Sequence, residues 1–144
     1  MQTKGNKFYI NSEGINDKTV WKRAFVFALS LLKKDKCLER IVFYFSKKDK
    51  IEVWFDKEKD NKLISDLWAG RKYMEYGDVV FCAKSSLMYH KDNCCNDIVI
   101  SFGCMSCVLK ELDKHGSAKY IIAVPWQLSL IDEWVKEYNA QIVE

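Results

Sequence analysis

Apolar and polar positions follow two periods along this chain, and the switch between them marks out its elements. Arg40 to Phe45 (RIVFYF), Asp78 to Ala83 (DVVFCA), Ile98 to Ile100 and Tyr120 to Val124 (YIIAV) are apolar, β-branched or aromatic runs. That is the pattern of strands covered on both faces. Lys7 to Asn11 predicts a short first strand, and AQIVE at residues 140–144 a short last one. Ile51, Val53 and Phe55 instead alternate with Glu52, Trp54 and Asp56, which predicts a strand with one wet face near a sheet edge. The polar link SKKDK joins it to Arg40–Phe45 as a β-hairpin.

Between the strands the apolar period lengthens to that of a helix. Asn16 or Asp17 can cap a helix running to about Cys37. In it Trp21, Phe25, Ala28 and Leu32 form one stripe, and Val20, Ala24, Phe27 and Leu31 a second beside it. So wide an apolar face predicts burial against a sheet. A second helix, capped by Asp60 or Asn61 and ended by Gly70, turns Leu63, Ile64, Leu67 and Trp68 inward. Met105, Val108, Leu109 and Leu112 place a third from about Cys104 to the stop signal His115–Gly116. Ser129 and Asp132 have the spacing of a capping box ahead of a fourth, with Leu130, Ile131, Trp134, Val135 and Tyr138 on its inner face.

The resulting order, β-α-β-β-α-β-β-α-β-α-β, predicts an α/β protein. Alternation in the second half implies parallel strands joined by right-handed crossovers, while the hairpin makes the sheet mixed, though mostly parallel. This architecture resembles a three-layer Rossmann-like domain. With 144 residues and no internal repeat or linker-like stretch, residues 1–144 read as a single domain.

Composition narrows the classes of function. Half the residues are apolar and only one is proline, which excludes a disordered or low-complexity chain. The formal charge is +3, and lysines are interleaved with carboxylates, as in KKDKIEVWFDKEKDNK. Such mixing reads as a solvated surface; a nucleic-acid site would rest on Lys33, Lys34 and Lys36 with Lys47, Lys48 and Lys50, and each cluster has an Asp beside it. The longest apolar run, Ala24 to Leu32, is interrupted by Ser30 and is too short to cross a bilayer. The first residues lack the apolar core of a signal peptide, so a cytoplasmic protein without membrane partners is expected. In that compartment the six cysteines, at 37, 82, 94, 95, 104 and 107, are expected as free thiols.

The candidate site follows from Asp97 to Cys107 (DIVISFGCMSC), where a buried-type strand turns on Gly103 straight into a helix. Such a turn brings backbone N–H groups and a helix N-terminus to the carboxyl edge of the sheet, where anions and small ligands bind. A parallel crossover sets Gly103, Cys104 and Ser106 against the loop carrying Trp126 and Gln127. If the strand ending near Ala83 runs parallel too, Lys84, Ser85 and Ser86 join them. Amides, hydroxyls, a lysine and an indole suit a small anionic or nucleotide-like ligand. Neither GxGxxG nor GxxxxGK[ST] is present, so the sequence names no cofactor and leaves open whether a reaction is catalysed.

Other readings compete. Cys104 and Cys107 form a CxxC at a helix start and are the candidate catalytic residues. In spacing and context this resembles a thioredoxin-type dithiol, without the WCGPC sequence and with Pro125 closing the next strand rather than preceding it. His90, Cys94, Cys104 and Cys107 supply a candidate zinc set. The alternative from a different class is a non-catalytic module that uses its aromatic surface for protein interaction or self-association.

Overall fold

The computed structural model describes residues 6–11, 18–35, 37, 40–45, 53–68, 81–85, 97–115 and 118–143. Among them the chain runs β1 (Lys7–Ile10), α1 (Val20–Lys34), β2 (Arg40–Phe45), α2 (Asn61–Trp68), β3 (Phe81–Ser85), β4 (Asp97–Phe102), α3 (Ser106–His115), β5 (Ala118–Val124), a 3-10 turn (Leu128–Leu130), α4 (Asp132–Tyr138) and β6 (Gln141–Val143). The strands form one six-stranded sheet in the order β3-β2-β4-β5-β1-β6. Every pairing is parallel. The caps expected at Asn16 or Asp17 and at Gly70 lie outside the described residues.

Among the described residues the sheet is therefore not mixed, and the second strand of the expected hairpin does not form over the part that is described, Val53 to Phe55. β2 is flanked by β3 and β4, both parallel to it. Val53 and Trp54 lie in a 3-10 turn, followed by a bend at Phe55. Trp54 and Phe55 are each 1% exposed, so two successive side chains enter the core, which the period of a strand does not allow. The cause is local hydrogen bonding. The Asp56 carboxylate accepts the N–H groups of Glu58 and Lys59 at 3.0 and 3.1 Å, and the Asp56 N–H donates to the Asp60 carboxylate at 3.0 Å. Such side-chain-made turns compete directly with strand pairing.

The pleat sorts the strands' side chains into two cores. On one face Ile41, Phe43 and Phe45 of β2, Ile98, Ile100 and Phe102 of β4, and Ile122 and Val124 of β5 meet α1 and Ile64 of α2. On the other, Val42, Tyr44, Val99, Ile121 and Ala123 meet Leu109 and Leu112 of α3 and Trp134 of α4. Each fully buried Val, Leu, Ile or Phe among them contributes about 1.5–3 kcal/mol. The connections through α1 and α2 step toward the β3 edge, with their helices on the first face. Those through α3 and α4 step toward β6, with theirs on the second. One hand of crossover thus serves all four, as parallel sheets require.

Helix α1 buries Val20, Trp21, Ala24, Phe25 and Ala28 and ends on Lys33 and Lys34, cations that suit the negative end of the helix dipole. Its C-cap, Asp35, returns its N–H to the Leu31 carbonyl at 2.9 Å. The Asp35 carboxylate accepts Lys119 Nζ at 2.6 Å, the Cys37 N–H at 3.0 Å and the Tyr120 hydroxyl at 3.4 Å. The hydrogen bond from Lys119, followed by that from Cys37, holds this carboxyl below its ordinary value of 3.8. A lowered carboxyl pKa stabilises the folded state at pH values above the unfolded value, and the gain is lost as pH falls through the folded one. The gap in Tm between the wild type and Asp35→Asn is therefore expected to be level above roughly pH 5 and to close as pH falls below 3.8. A gap that survives unchanged at the acid end of a thermal-melt series would contradict this.

Candidate functional site

At the carboxyl edge of the sheet, Ser85, Phe45, Phe102 and Val124 lie in one row across β3, β2, β4 and β5. Gly103 follows that row with φ +68°, a left-handed conformation that glycine adopts without a Cβ penalty. Its N–H donates to the Val124 carbonyl at 2.8 Å, tying the start of one loop to the end of the next strand. A Cβ on Gly103 would fall well inside contact distance of Trp126 Nε1 and 3.0 Å from its Cε2. The close approach that requires glycine here is the approach of an indole.

Trp126 in turn packs on Trp54, with ring centroids 4.7 Å apart, and Trp54 packs on Phe102 at 5.6 Å. Phe45 stacks on Phe102 at 4.9 Å. An aromatic plug therefore closes the carboxyl ends of β2 and β4, with Trp54 and Phe102 buried and Trp126 half-buried at its outer rim. Trp54 has left the wet face expected for it and become the plug's centre. Only its presence in an aromatic-rich neighbourhood hinted at that.

Of the expected site residues Gly103 and Trp126 meet directly, and Cys104 and Ser106 follow Gly103 along the chain, Cys104 in the core of the second face. Gln127 is exposed beside Trp126. Lys84 and Ser85 belong to β3 and reach the same edge of the sheet, but β2 lies between their strand and β4. Ser86, His90 and Cys94 lie outside the described residues.

Cys104 is buried, and its thiol donates to the Phe102 carbonyl at 3.6 Å, whereas Cys107, one turn along, is exposed. Both are free thiols, as is the exposed Cys37. A Cys104–Cys107 disulfide would require Cys104 to turn out of the core. Among the described residues no group of three or more His, Cys, Asp or Glu side chains could hold a metal ion, and no helix is long and apolar enough to cross a membrane.

Ser106 has a structural duty. Its hydroxyl donates to the Leu130 carbonyl at 3.2 Å and accepts the Trp134 N–H at 3.1 Å. The capping box expected from Ser129 and Asp132 does not form: Ile131 is the N-cap of α4, with no side-chain cap, and Ser129 lies in the 3-10 turn. A hydroxyl from α3 satisfies the N–H that a local cap would have taken. Ser106→Ala leaves a buried N–H unpaired and is expected to cost about 1–3 kcal/mol in a urea melt. A loss under about 0.5 kcal/mol would mean that α4 finds another cap.

The electrostatics around α3 are settled by α4. Lys110 pairs with Glu133 at 3.2 Å and Glu137 at 3.6 Å, and the hydrogen bond to Glu133 raises its pKa above the ordinary lysine value. Its ammonium is committed to holding the two helices together. At the α3 start, the Met105 carbonyl accepts from Val108 and Leu109, so the N–H groups of Met105, Ser106 and Cys107 precede the first intrahelical bond. Met105, expected inward, is 50% exposed, and Leu128 on the neighbouring loop is 37% exposed. Ser101, two residues before Gly103, is buried with no partner for its hydroxyl among the described residues. Chemically, this edge offers main-chain N–H donors for an anion beside apolar surface for a flat group.

Comparison of the chain with models of protein families, with curated proteins and with solved structures found no match in any of the three.

Proposed function

We propose that this is a three-layer Rossmann-like domain, acting in the cytoplasm, that binds a small anionic or nucleotide-like ligand at the carboxyl ends of its parallel strands. The supporting topology is the reversal between β2 and β4. The chain leaves β2 for α2 on one face and leaves β4 for α3 on the other. Open α/β sheets bind ligands at such switch points. The observation that carries the reading is the N-terminus of α3, which follows directly on the Gly103 turn, with Met105 exposed at its start and Leu128 exposed two residues past half-buried Trp126. In this reading the α3 amides take the anion, Trp126 and Met105 flank the ring, and Gln127 meets its polar edge.

A thermal-shift screen against nucleoside mono-, di- and triphosphates, sugar phosphates and inorganic phosphate tests this. A ligand at a hundred times its Kd adds about 2.7 kcal/mol to stability, a clear rise in Tm. Met105→Glu, a change at an exposed position, is expected to leave the unliganded melt in place and abolish that rise. Absence of any shift at millimolar concentrations, or an equal shift in Met105→Glu, would remove the site.

A further inference from the structure

Among the described residues the helical layer on the first face leaves a place open beside α1. On the first face α1 lies over β4 and β5, and α2 lies toward β3. Beyond α1, on the side of β6, no helix stands among the described residues. A cavity of about 410 Å³ occupies that place, lined by Lys22, Arg23, Val26, Phe27 and Ser30 of α1 and by Val143 of β6. Val26 is 64% exposed, although α1 is otherwise apolar toward the sheet. The helix carries Lys22 and Arg23 at one end, Lys33 and Lys34 at the other, and no carboxylate between them.

We propose that this trough docks an acidic amphipathic helix of a protein partner. The partner's apolar stripe would lie on Val26, Phe27 and Val143, and its flanking carboxylates would face the cations at the two ends of α1. Three considerations select this occupant. A helix set beside α1 would take the next position in the layer, at the 8–10 Å spacing of packed helices, with anchors repeating at i, i+3, i+4 and i+7. A strand added at the β6 end of the sheet would lie in the plane of the sheet and leave Val26 bare. A second copy of this chain, related by a twofold axis across the trough, would set the cations of α1 against their own image.

The test uses a synthetic 18-residue helix with leucines at that spacing and glutamates flanking them, fluorescently labelled, and a matched peptide with lysines for the glutamates. Anisotropy at low salt is expected to show at least tenfold tighter binding of the glutamate peptide. Val26→Asp, whose melt should match the wild type because the position is exposed, is expected to weaken that binding at least tenfold. Equal binding of the two peptides, or indifference to Val26→Asp, overturns the proposal. So does sedimentation showing that the protein alone is a dimer which Val26→Asp dissociates. Tighter binding to phosphatidylcholine–phosphatidylserine vesicles than to the glutamate peptide also overturns it and assigns the face to a membrane surface.

Discussion

Gly103→Val is expected to destabilise the protein by about 3–5 kcal/mol, a large share of the 5–15 kcal/mol that holds most domains folded. Two costs add. A non-glycine residue in the left-handed region costs roughly 1–2 kcal/mol, and a β-branched one more. The new Cβ also displaces the Trp126 indole, which in turn leans on Trp54. The two costs can be separated. In a Trp126→Ala background the indole is gone, so Gly103→Ala should retain only the backbone penalty of roughly 1–2 kcal/mol. Urea denaturation of both single mutants and the double mutant measures the coupling. Additive costs would show that Trp126 does not rest on Gly103.

Trp54→Ala should cost as much, about 3–5 kcal/mol, because a fully buried indole leaves a cavity that its neighbours fill only in part. Trp54 touches both Phe102 and Trp126, so its removal loosens the plug from within. Trp126→Ala, at the half-buried rim, is expected to cost about 1–2 kcal/mol. The order of the two midpoints at constant m-value is the readout. If Trp126→Ala proved the costlier, the rim would be carrying the plug, and its role as a ligand wall would lose its ground.

The contrast between these two indoles shows where sequence reasoning reaches and where it stops. The unit from Ile98 through Gly103 and α3 to Val124 is legible because its signals are local: a β-branched run, one glycine, then a helical period. Its parallel pairing with β5 follows from the helix between. In the sequence Trp126 reads as an open loop residue, because its partner, Gly103, becomes a neighbour only once β4 and β5 are adjacent. Trp54 reads as wet because hydropathy alternates around it, while the Asp56 turn that overrides the alternation is a hydrogen-bonding device with no apolar signature. Ser106 escaped for a similar reason: a cap borrowed from another helix leaves no mark at Ser129 or Asp132.

The place of β1 has a consequence for how the protein is made. The first strand pairs with two of the last, Lys7 with Ile121 on one side and Phe8 with Gln141 on the other. During synthesis it must therefore wait, unpaired, until β5 and β6 have been made, while β2, β3 and β4 already have one another. Closing so long a loop is slow and raises the contact order of the fold. Until it closes, Phe8 and Ile10, which end in the core, are apolar side chains on an unsatisfied strand. β1 is thus among the last strands of the sheet to find its place, and its apolar side chains stay open to water until it does.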